Sequence, residues 1–452
     1  MVPAVYSFIL AASAAPLDPI APPISLGGDR FDFGAGVSLT VLPGVVLGLP
    51  LGVAPPEGSV SLGGRSWLLP TDSPDQAVAL ALSWQTRPGV SAWPDVILPV
   101  ERLDFNDPNW PGQWYSEDLE MEALYAASMG DPLVRVAVID SGIDINHPDL
   151  EAAVNAPYDA WSDDDDPSPN PGEYCYDGTQ DICDGHGTAV SGIIAARADN
   201  SVGIVGLCPQ CTLIPIKLLG EGGSVNTLSA DVAAFEHAIA ADAWVINNSW
   251  GFVESIPVPE PLAEVIRRAA TEPRDGLGAV VVFAAGNDDR EISDNEMQAM
   301  PEVVCVSATD SYGHPTAYTN SGASVDIAAP SATVTLAPEG GITETFGGTS
   351  AAAPVISGLS GWALSLAPQL SAAEVRQLLI DTAIPSPLVT HDDNGHHYTY
   401  GYGEVSAVGL LAALSTQDTG EDTPKSCGCT TGKTGSTWGL LLLVGLLGWR
   451  RR

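Results

Sequence analysis

Basic residues are scarce in this chain of 452 residues. Lys and Arg together number 17, against 56 Asp and Glu, so the formal net charge at pH 7 is -39. A surface of this sign repels a phosphate backbone, and a nucleic-acid partner is therefore disfavoured. The excess of carboxylates favours solubility and cation binding, and it is also typical of an acidic extracellular surface.

Cysteine is sparse as well, with seven residues in the chain. Cys175 and Cys183 flank a short polar loop, and Cys208 and Cys211 stand in the sequence Cys-Pro-Gln-Cys. Both spacings predict local disulfides formed in an oxidising compartment. A zinc site made from these four is the less favoured alternative, because no further ligand stands at zinc-finger spacing. Cys305, inside an apolar run, is predicted to be a buried free thiol.

The C-terminal apolar run is shorter than the roughly 20 residues of a comfortable transmembrane helix. It lies in residues 438–452, after a polar linker (residues 416–437) with Cys427 and Cys429, and it ends in three Arg residues. This arrangement resembles C-terminal sorting tails of the myxobacterial type, which implies display at the cell surface. A simple tail anchor, with the Arg residues at the cytoplasmic face, is the alternative.

The N-terminal segment, residues 1–15, is predicted to be a signal peptide. A short apolar stretch ends in Ala-Ser-Ala, which is typical of a cleavage site, although no Lys or Arg precedes it. An apolar first strand is the alternative. The protein is therefore expected to be secreted or to lie at the surface of a bacterial cell envelope.

Two segments follow that differ in pattern. Residues 16–103 are rich in Gly and Pro and predict a small α+β module with a helix near residues 73–82. Residues 104–415 predict an α/β fold, a three-layer sandwich with a mostly parallel central sheet. The predicted strands are 134–139, 213–218, 243–246, 279–284 and 302–308, and the predicted helices are 187–198, 229–241, 261–271, 350–366 and 371–382.

Four polar residues stand where these predicted elements begin or end. Asp140 and Asn287 follow apolar strands, whereas His186 and Ser350 precede helices. Open parallel sheets place their active groups at the carboxyl ends of strands, so these side chains can meet in space. A serine hydroxyl needs a base, and the base needs an acid to hold its tautomer. A side-chain amide can donate to the reacting carbonyl oxygen.

The motifs around these residues resemble the signature blocks of the subtilisin-like serine proteases (subtilases, peptidase family S8). They read IDSGIDINHPDL from Ile139, GHGTAVSG from Gly185, AAGN from Ala284 and GTSAAAP from Gly348. Their order, Asp before His before Ser, is the subtilisin order among the known triads. The resemblance covers about 300 residues and implies a serine endopeptidase.

By this resemblance, Asp140 is the orienting acid, His186 the general base, Ser350 the nucleophile and Asn287 the oxyanion donor. The backbone N–H of Ser350 is implied as a second donor. The sequence departs from the family at Ala351, where members often carry Met. This change is expected to alter packing behind the nucleophile without preventing the reaction.

The resemblance also implies a cleft in which the substrate pairs with the protein backbone as an added strand. The implied contacts are Ser249, Trp250 and Gly251 on one strand, Gly223 on the opposite strand, and Ala284, Ala285 and Gly286 in the primary pocket. Ser-Trp-Gly is shared with kexin- and furin-like members, which cut after basic residues. Glu254 falls where those enzymes carry a pocket acid, although an ordinary surface carboxylate is an equally good interpretation.

Structural Ca²⁺ is a further implication, and no catalytic cofactor is expected. Residues 106–114 resemble a segment of the same subgroup whose Asp binds Ca²⁺. Six to eight oxygen ligands from loops suit this ion. The implied ligands are the side chains of Asp107, Asp149 and Asn200 and the backbone carbonyls of Arg197, Val202 and Ile204.

Residues 16–103 then correspond to a propeptide, which in this family assists folding and blocks the cleft until self-cleavage. Glu101-Arg102-Leu103 is the predicted processing point, and cleavage after Arg102 would support a basic pocket. The expected partners are polypeptide substrates and the chain's own propeptide, with possible attachment to the membrane or cell surface through the tail. The protein is expected to be a monomer.

Two other functions compete with the peptidase. A non-catalytic surface protein could use a subtilisin-like shell for adhesion, but such proteins usually lose a triad residue, and all three are present here. A lipase needs Gly-x-Ser-x-Gly at its nucleophile, and Gly-Thr-Ser-Ala-Ala around Ser350 does not fit this motif.

Overall fold

A computed structural model describes residues 24–27, 30–32, 38–50, 53–63, 66–87, 90–97, 105–169, 185–220 and 226–417. The chain forms two compact units, Met1–Asp104 and Phe105–Arg452. The predicted signal peptide and sorting tail, Gly223, and the pair Cys175 and Cys183 lie outside the described residues. Within the described ranges, no helix is both long enough and apolar enough to cross a membrane.

The described part of the first unit contains an antiparallel sheet in the order β1-β2-β3-β5-β4, with β6 beside β3, and one helix. Helix α1 (Pro74–Gln85) begins after Ser73, whose Oγ accepts a hydrogen bond from Gln76 N. Its buried residues recur at helical spacing and the helix packs against β3 and β6, so the predicted α+β module is confirmed. The strands are β1 (Ile24–Gly27), β2 (Arg30–Asp32), β3 (Ser38–Gly48), β4 (Val60–Gly63), β5 (Ser66–Pro70) and β6 (Ser91–Ile97).

The second unit is built on a parallel sheet in the order β13-β12-β11-β10-β7-β9-β8. After β7, the chain forms β8 and β9 on one side of that strand. It then forms β10 to β13 in order on the other side. The carboxyl ends of strands form a crevice where the order reverses, here between β7 and β10. The strands are β7 (Arg135–Asp140), β8 (Tyr158–Asp159), β9 (Thr212–Lys217), β10 (Val245–Asn248), β11 (Val280–Ala284), β12 (Val303–Thr309) and β13 (Ile327–Pro330).

Both faces of this sheet are covered, as the alternation of side chains along β7 shows. Val136 and Val138 pack with helices α4 and α8 in one hydrophobic core, whereas Ala137 and Ile139 pack with α5 and α6 in the other. Successive strand residues point to opposite faces, so one apolar run fills two cores. The predicted three-layer α/β sandwich is confirmed.

The helices of the second unit match the predicted ones within a few residues where predictions existed. Helix α8 is buried almost throughout, and small residues allow it to pack against the centre of the sheet. The helices are α2 (Tyr115–Asp118), α3 (Met121–Ala127), α4 (His186–Ala195), α5 (Leu228–Ala240), α6 (Glu260–Ala269), α7 (Pro273–Gly276), α8 (Thr349–Leu366), α9 (Ala372–Thr382) and α10 (Ala407–Gln417).

An antiparallel hairpin that the sequence did not predict precedes α8. It consists of β14 (Thr333–Ala337) and β15 (Gly341–Phe346). The first strand is buried, and the second is partly exposed. The hairpin therefore brings the end of β15 to the start of α8, where Ser350 lies.

Two cysteine predictions can be compared with the structure. Cys208 and Cys211 form a disulfide, and Cys305 is a buried free thiol, so both predictions are confirmed. The disulfide also excludes Cys208 and Cys211 as thiolate ligands of zinc.

Candidate active site

The predicted catalytic residues lie together at the carboxyl edge of the parallel sheet. Asp140 is the last residue of β7, and Asn287 follows β11 after a short turn. His186 is the first residue of α4, and Ser350 is the second residue of α8. The prediction rested on the ends of β7 and β11 and the starts of α4 and α8. These four ends therefore lie at the same edge of the sheet.

Asp140 and His186 are joined by a short hydrogen bond. His186 Nδ1 lies 2.7 Å from Asp140 Oδ1, which also accepts a bond from Ser141 N at 2.7 Å. A proton on Nδ1 leaves Nε2 as the acceptor of the neutral ring. Gly187 permits this approach, because a Cβ there would lie 2.6 Å from the carbonyl oxygen of Gly142.

The surroundings of His186 favour its protonated form. Burial of the ring lowers the pKa, but the charge of Asp140 and their hydrogen bond outweigh this, so the pKa of His186 is raised above its ordinary 6.5. Phe346, at the end of β15, packs edge-on against the imidazole with ring centroids 5.1 Å apart. The two neighbours together fix the orientation of a ring that is about one-third exposed.

Ser350 forms a reciprocal pair with Ser249. Ser350 Oγ donates to the carbonyl oxygen of Ser249 at 3.1 Å, and Ser249 Oγ donates to the carbonyl oxygen of Ser350 at 3.1 Å. The second bond has a clear cause: Pro354 stands four residues after Ser350 and has no N–H to donate to that carbonyl. Among the described residues, no hydrogen bond joins Ser350 Oγ to His186, and such contacts often tighten only when substrate binds.

The Asn287 amide has a defined orientation. Its Oδ1 accepts hydrogen bonds from Thr349 N at 2.8 Å and Thr349 Oγ1 at 3.0 Å. Because two donors face Oδ1, the Nδ2 group points away from them and remains available as a donor. Nδ2 is the group that an oxyanion site requires.

The family model described as the subtilase family matches residues 132–403. The chain belongs to the subtilase family. Its members are serine endopeptidases, and the predicted family resemblance is confirmed. Kexin- or furin-like features and a sorting tail do not follow from this match.

Similar proteins include extracellular enzymes. The halolysin-like extracellular serine protease Nep of Natrialba magadii is 32% identical over 322 residues, which are 70% of this chain and 54% of that protein. Subtilisin E of Bacillus subtilis is 30% identical over 292 residues, 64% of this chain and 69% of that protein. The chain spans about half the length of the halolysins it matches, 54% and 50%.

Two solved structures share the fold. A protease from Pseudoalteromonas arctica has a TM-score of 0.57 at 27% identity, over 69% of this chain and 99% of that one. The serine protease of Aeromonas sobria, solved in complex with a chaperone, has a TM-score of 0.60 at 20% identity, over 70% of this chain and 68% of that one. The latter similarity concerns the fold alone.

A pocket of about 170 Å³ adjoins Ser350, the predicted nucleophile of this subtilase. Six of the predicted substrate residues line it: Ser249, Trp250, Gly251, Ala284, Ala285 and Gly286. Glu254 is exposed on the loop after Val253 and is not among the lining residues. The structure therefore brings the predicted pocket together without Glu254.

Asn320 supports this pocket, although the sequence analysis did not single it out. Its Oδ1 accepts hydrogen bonds from Asp288 N at 2.9 Å and Arg290 N at 3.2 Å, and its Nδ2 donates to the carbonyl oxygen of Ala285 at 3.0 Å. The residue is 1% exposed. It thus holds the loop that carries Asn287, and only the folded chain reveals a contact between residues so far apart in sequence.

The predicted calcium ligands also lie together, around the loop of residues 197–204. Asp149 Oδ1 accepts a hydrogen bond from Asn200 Nδ2 at 2.7 Å, and Oδ2 accepts one from Ile204 N at 3.0 Å. Asp107 accepts bonds from the backbone of the same loop, at Asp199 N. Burial raises the pKa of Asp149 to about 6, and the charge of Asp107 adds to this effect. Burial also raises the pKa of Asp107.

The donor set fits a hard cation. Two buried carboxylates near one another are costly unless positive charges compensate them; Arg197 interacts electrostatically with Asp149, and a bound cation would compensate the second carboxylate. Gly203 has a φ of 59°, and a Cβ there would lie 2.1 Å from Asp149 Oδ2, so the loop closes tightly on the carboxylate. Within the described residues, no cluster of three or more His, Cys, Asp or Glu could hold a metal ion. The predicted site differs from such a cluster because the prediction takes most of its ligands from amide and carbonyl oxygens.

Proposed function

We propose that this protein is a secreted or surface-displayed serine endopeptidase that hydrolyses peptide bonds with Asp140, His186 and Ser350. The observation that carries the proposal is the 2.7 Å contact between His186 Nδ1 and Asp140 Oδ1 beside α8, whose second residue is Ser350. Membership of the subtilase family and similarity to extracellular proteases support it.

In the proposed reaction, Ser350 Oγ attacks the substrate carbonyl and His186 Nε2 takes its proton. Asp140 holds the proton on Nδ1 and stabilises the imidazolium that forms. Asn287 Nδ2 and the Ser350 backbone N–H, at the start of α8, donate to the oxygen that becomes negative. His186 then protonates the leaving amine, and water repeats the sequence on the acyl-enzyme.

Substrate would bind in an extended conformation along Ser249–Gly251, with one side chain in the primary pocket. Gly223 is proposed for the opposite strand. Glu254 is an exposed carboxylate outside the lining of the pocket. It would therefore contact only parts of the substrate that extend beyond the pocket.

Ca²⁺ is proposed as a structural ion held by Asp107, Asp149 and Asn200. The carbonyl oxygens of Arg197, Val202 and Ile204 would complete the shell. When bound, the ion would neutralise the two buried carboxylates and fix the loop of residues 197–204. No step of the peptidase reaction passes through it.

Residues 16–103, which lie in the first unit, are proposed to be a propeptide that inhibits the enzyme until it is cleaved near residues 101–103. The separation of this unit from the second at Asp104–Phe105 supports this role. Residues 438–452 are proposed to attach the protein to the cell surface, and the chain is proposed to act as a monomer.

A serine-directed fluorophosphonate probe tests the enzyme against the adhesion alternative. The wild-type protein should be labelled and should cleave an unfolded protein substrate, whereas Ser350→Ala should do neither. Ser360→Ala is a matched control, because Ser360 is a buried serine of the same helix whose Oγ donates to a backbone carbonyl. Equal labelling of the wild type and Ser350→Ala would exclude this proposal.

A further inference from the structure

The carbonyl oxygen of Ser350 has no hydrogen-bond partner four residues on in its own helix. That position of α8 is Pro354, which has no N–H to donate. Ser249 Oγ supplies the missing donor at 3.1 Å. The carbonyl belongs to the same residue as the Oγ and the backbone N–H that are proposed to act in the reaction. The bond from Ser249 therefore bears on the orientation of both groups.

Asn247 fixes the direction of the Ser249 hydroxyl. Its Nδ2 donates to Ser249 Oγ at 3.0 Å, so the hydroxyl hydrogen of Ser249 is left to donate to the Ser350 carbonyl. Asn247 Oδ1 in turn accepts a hydrogen bond from Ser357 Oγ at 2.8 Å. Asn247 and Ser357 are 0% exposed and Ser249 is 4% exposed, so water has little access to these bonds.

The hydrogen-bond relay from Ser357 to Ser350 begins and ends on α8. Ser350 precedes Pro354 in that helix, and Ser357 follows it. The relay spans the proline by way of Asn247 in β10 and Ser249 just after that strand. None of its side-chain atoms is among the buried polar atoms of the described residues that lack a hydrogen bond. A buried network that is fully satisfied holds its members in one arrangement, and loss of one member leaves another unpaired.

Asn248, the next residue of β10, makes a different set of contacts. Successive residues of a strand point to opposite faces of the sheet, and the bond from Ser357 places Asn247 on the face of α8. Asn248 Nδ2 instead donates to the carbonyl oxygen of Val282 in β11 at 3.1 Å. Both asparagines are 0% exposed, so they differ in their partners and not in their burial.

We infer that Asn247 and Ser357 are positioning residues, which act through Ser249 to hold Ser350 in its reactive orientation. The inference rests on the proposed peptidase function and adds two residues that the sequence analysis did not assign. Neither residue is among those that line the substrate pocket. Their loss should therefore misplace the nucleophile without removing a contact to bound substrate, and it should lower kcat far more than it raises KM.

Steady-state kinetics on one peptide substrate test this inference with two matched pairs of variants. Asn247→Ala should lower kcat by about 30-fold and Ser357→Ala by about 5-fold, with KM within about twofold of the wild type. Asn248→Ala and Ser360→Ala remove a buried amide of the same strand and a buried hydroxyl of the same helix, and they should keep the kcat of the wild type. Titration with the fluorophosphonate probe counts the active sites, so that kcat refers to processed enzyme in every variant.

The pH profile separates positioning from a general loosening of the site. Among the described residues, no hydrogen bond joins the relay to His186 or Asp140, so the acid limb of kcat/KM should keep its midpoint in Ser357→Ala. A shifted midpoint would overturn the inference, and so would a kcat of Ser357→Ala equal to that of Ser360→Ala. If Asn247→Ala does not fold, Ser357→Ala decides, because it removes a single buried oxygen atom. A wild type that cleaves no peptide would instead contradict the peptidase function itself.

Discussion

Asp140 and Asp149 are both fully buried aspartates, yet their surroundings differ in kind. Asp140 binds an imidazole that can take up a proton and become its counter-charge. Asp149 accepts hydrogen bonds from neutral donors, the amide of Asn200 and the backbone of Ile204, with the carboxylate of Asp107 nearby. The comparison teaches that two equally buried carboxylates are distinguished by their partners, and the roles proposed for them follow from this: orientation of the base for Asp140 and cation binding for Asp149.

Exchange of each carboxylate for an amide should separate the two roles most strongly. Asp140→Asn should lower kcat by about 10⁴-fold, because an amide stabilises the wrong tautomer of His186. Asp149→Asn should keep kcat within a few-fold at saturating Ca²⁺ but lose most of the stabilisation that the ion gives. Steady-state kinetics and thermal unfolding measure the two effects, and the comparison breaks if Asp149→Asn is the more damaging change to kcat.

Removal of Ca²⁺ should destabilise the fold, and the effect should depend on pH. At 100 times its Kd the ion contributes about 2.7 kcal/mol to the free energy of unfolding. Binding requires the ionised carboxylate, and the folded pKa of Asp149 is raised to about 6. The gain should therefore be present at pH 8 and be lost as the pH falls through about 6.

Thermal unfolding of full-length Ser350→Ala with and without EDTA measures this gain, because the variant cannot digest itself. Asp310→Asn is a suitable control, since Asp310 is a half-exposed carboxylate in a loop, distant in sequence from the predicted calcium ligands. A Ca²⁺-induced stabilisation that is equal at pH 5 and pH 8 would contradict the role of Asp149.

The pH dependence of activity should reflect the charge of Asp140. This effect should be smaller than that of Ca²⁺ removal. The base must be neutral, and Asp140 raises the pKa of His186, so the acid limb of kcat/KM should have its midpoint above 6.5. The residual activity of Asp140→Asn should show that midpoint at lower pH, because the ring loses its anionic partner. Stability should change with pH in the opposite direction to activity. The pair of Asp140 and His186 stabilises the fold below pH 6.5, and this contribution is lost as the pH rises through the raised pKa of His186.

The sheet was predictable because burial on both faces leaves continuous apolar runs such as Val280–Ala284. The hairpin of β14 and β15 was not, because it mixes polar and apolar residues and its second strand is partly exposed. The contact of Phe346 with His186 depends on that hairpin and was missed with it. Short runs of this kind carry too little periodicity to distinguish strand from loop.

The pocket shows the same limit. Ser249 and Ala285 were predicted from motifs, but the positions of Arg290 and Glu254 relative to the pocket could not be predicted, since both stand in loops outside the motifs. Asn320 Oδ1 accepts hydrogen bonds from Asp288 N and Arg290 N, and these bonds hold the loop of Arg290 beside the pocket. The loop of Glu254 has its own contact, from Ser255 Oγ to Glu296, and leaves the Glu254 side chain exposed.

By itself the sequence determined the parallel sheet and the family, and it predicted the roles of Asp140, His186, Ser350 and Asn287, because apolar runs and motif residues are local patterns. The tertiary structure alone decided which residues line the pocket, which donors hold the Asn287 amide and how the predicted calcium ligands lie relative to one another. These depend on contacts between segments far apart in the chain, and the packing of the folded unit sets their distances.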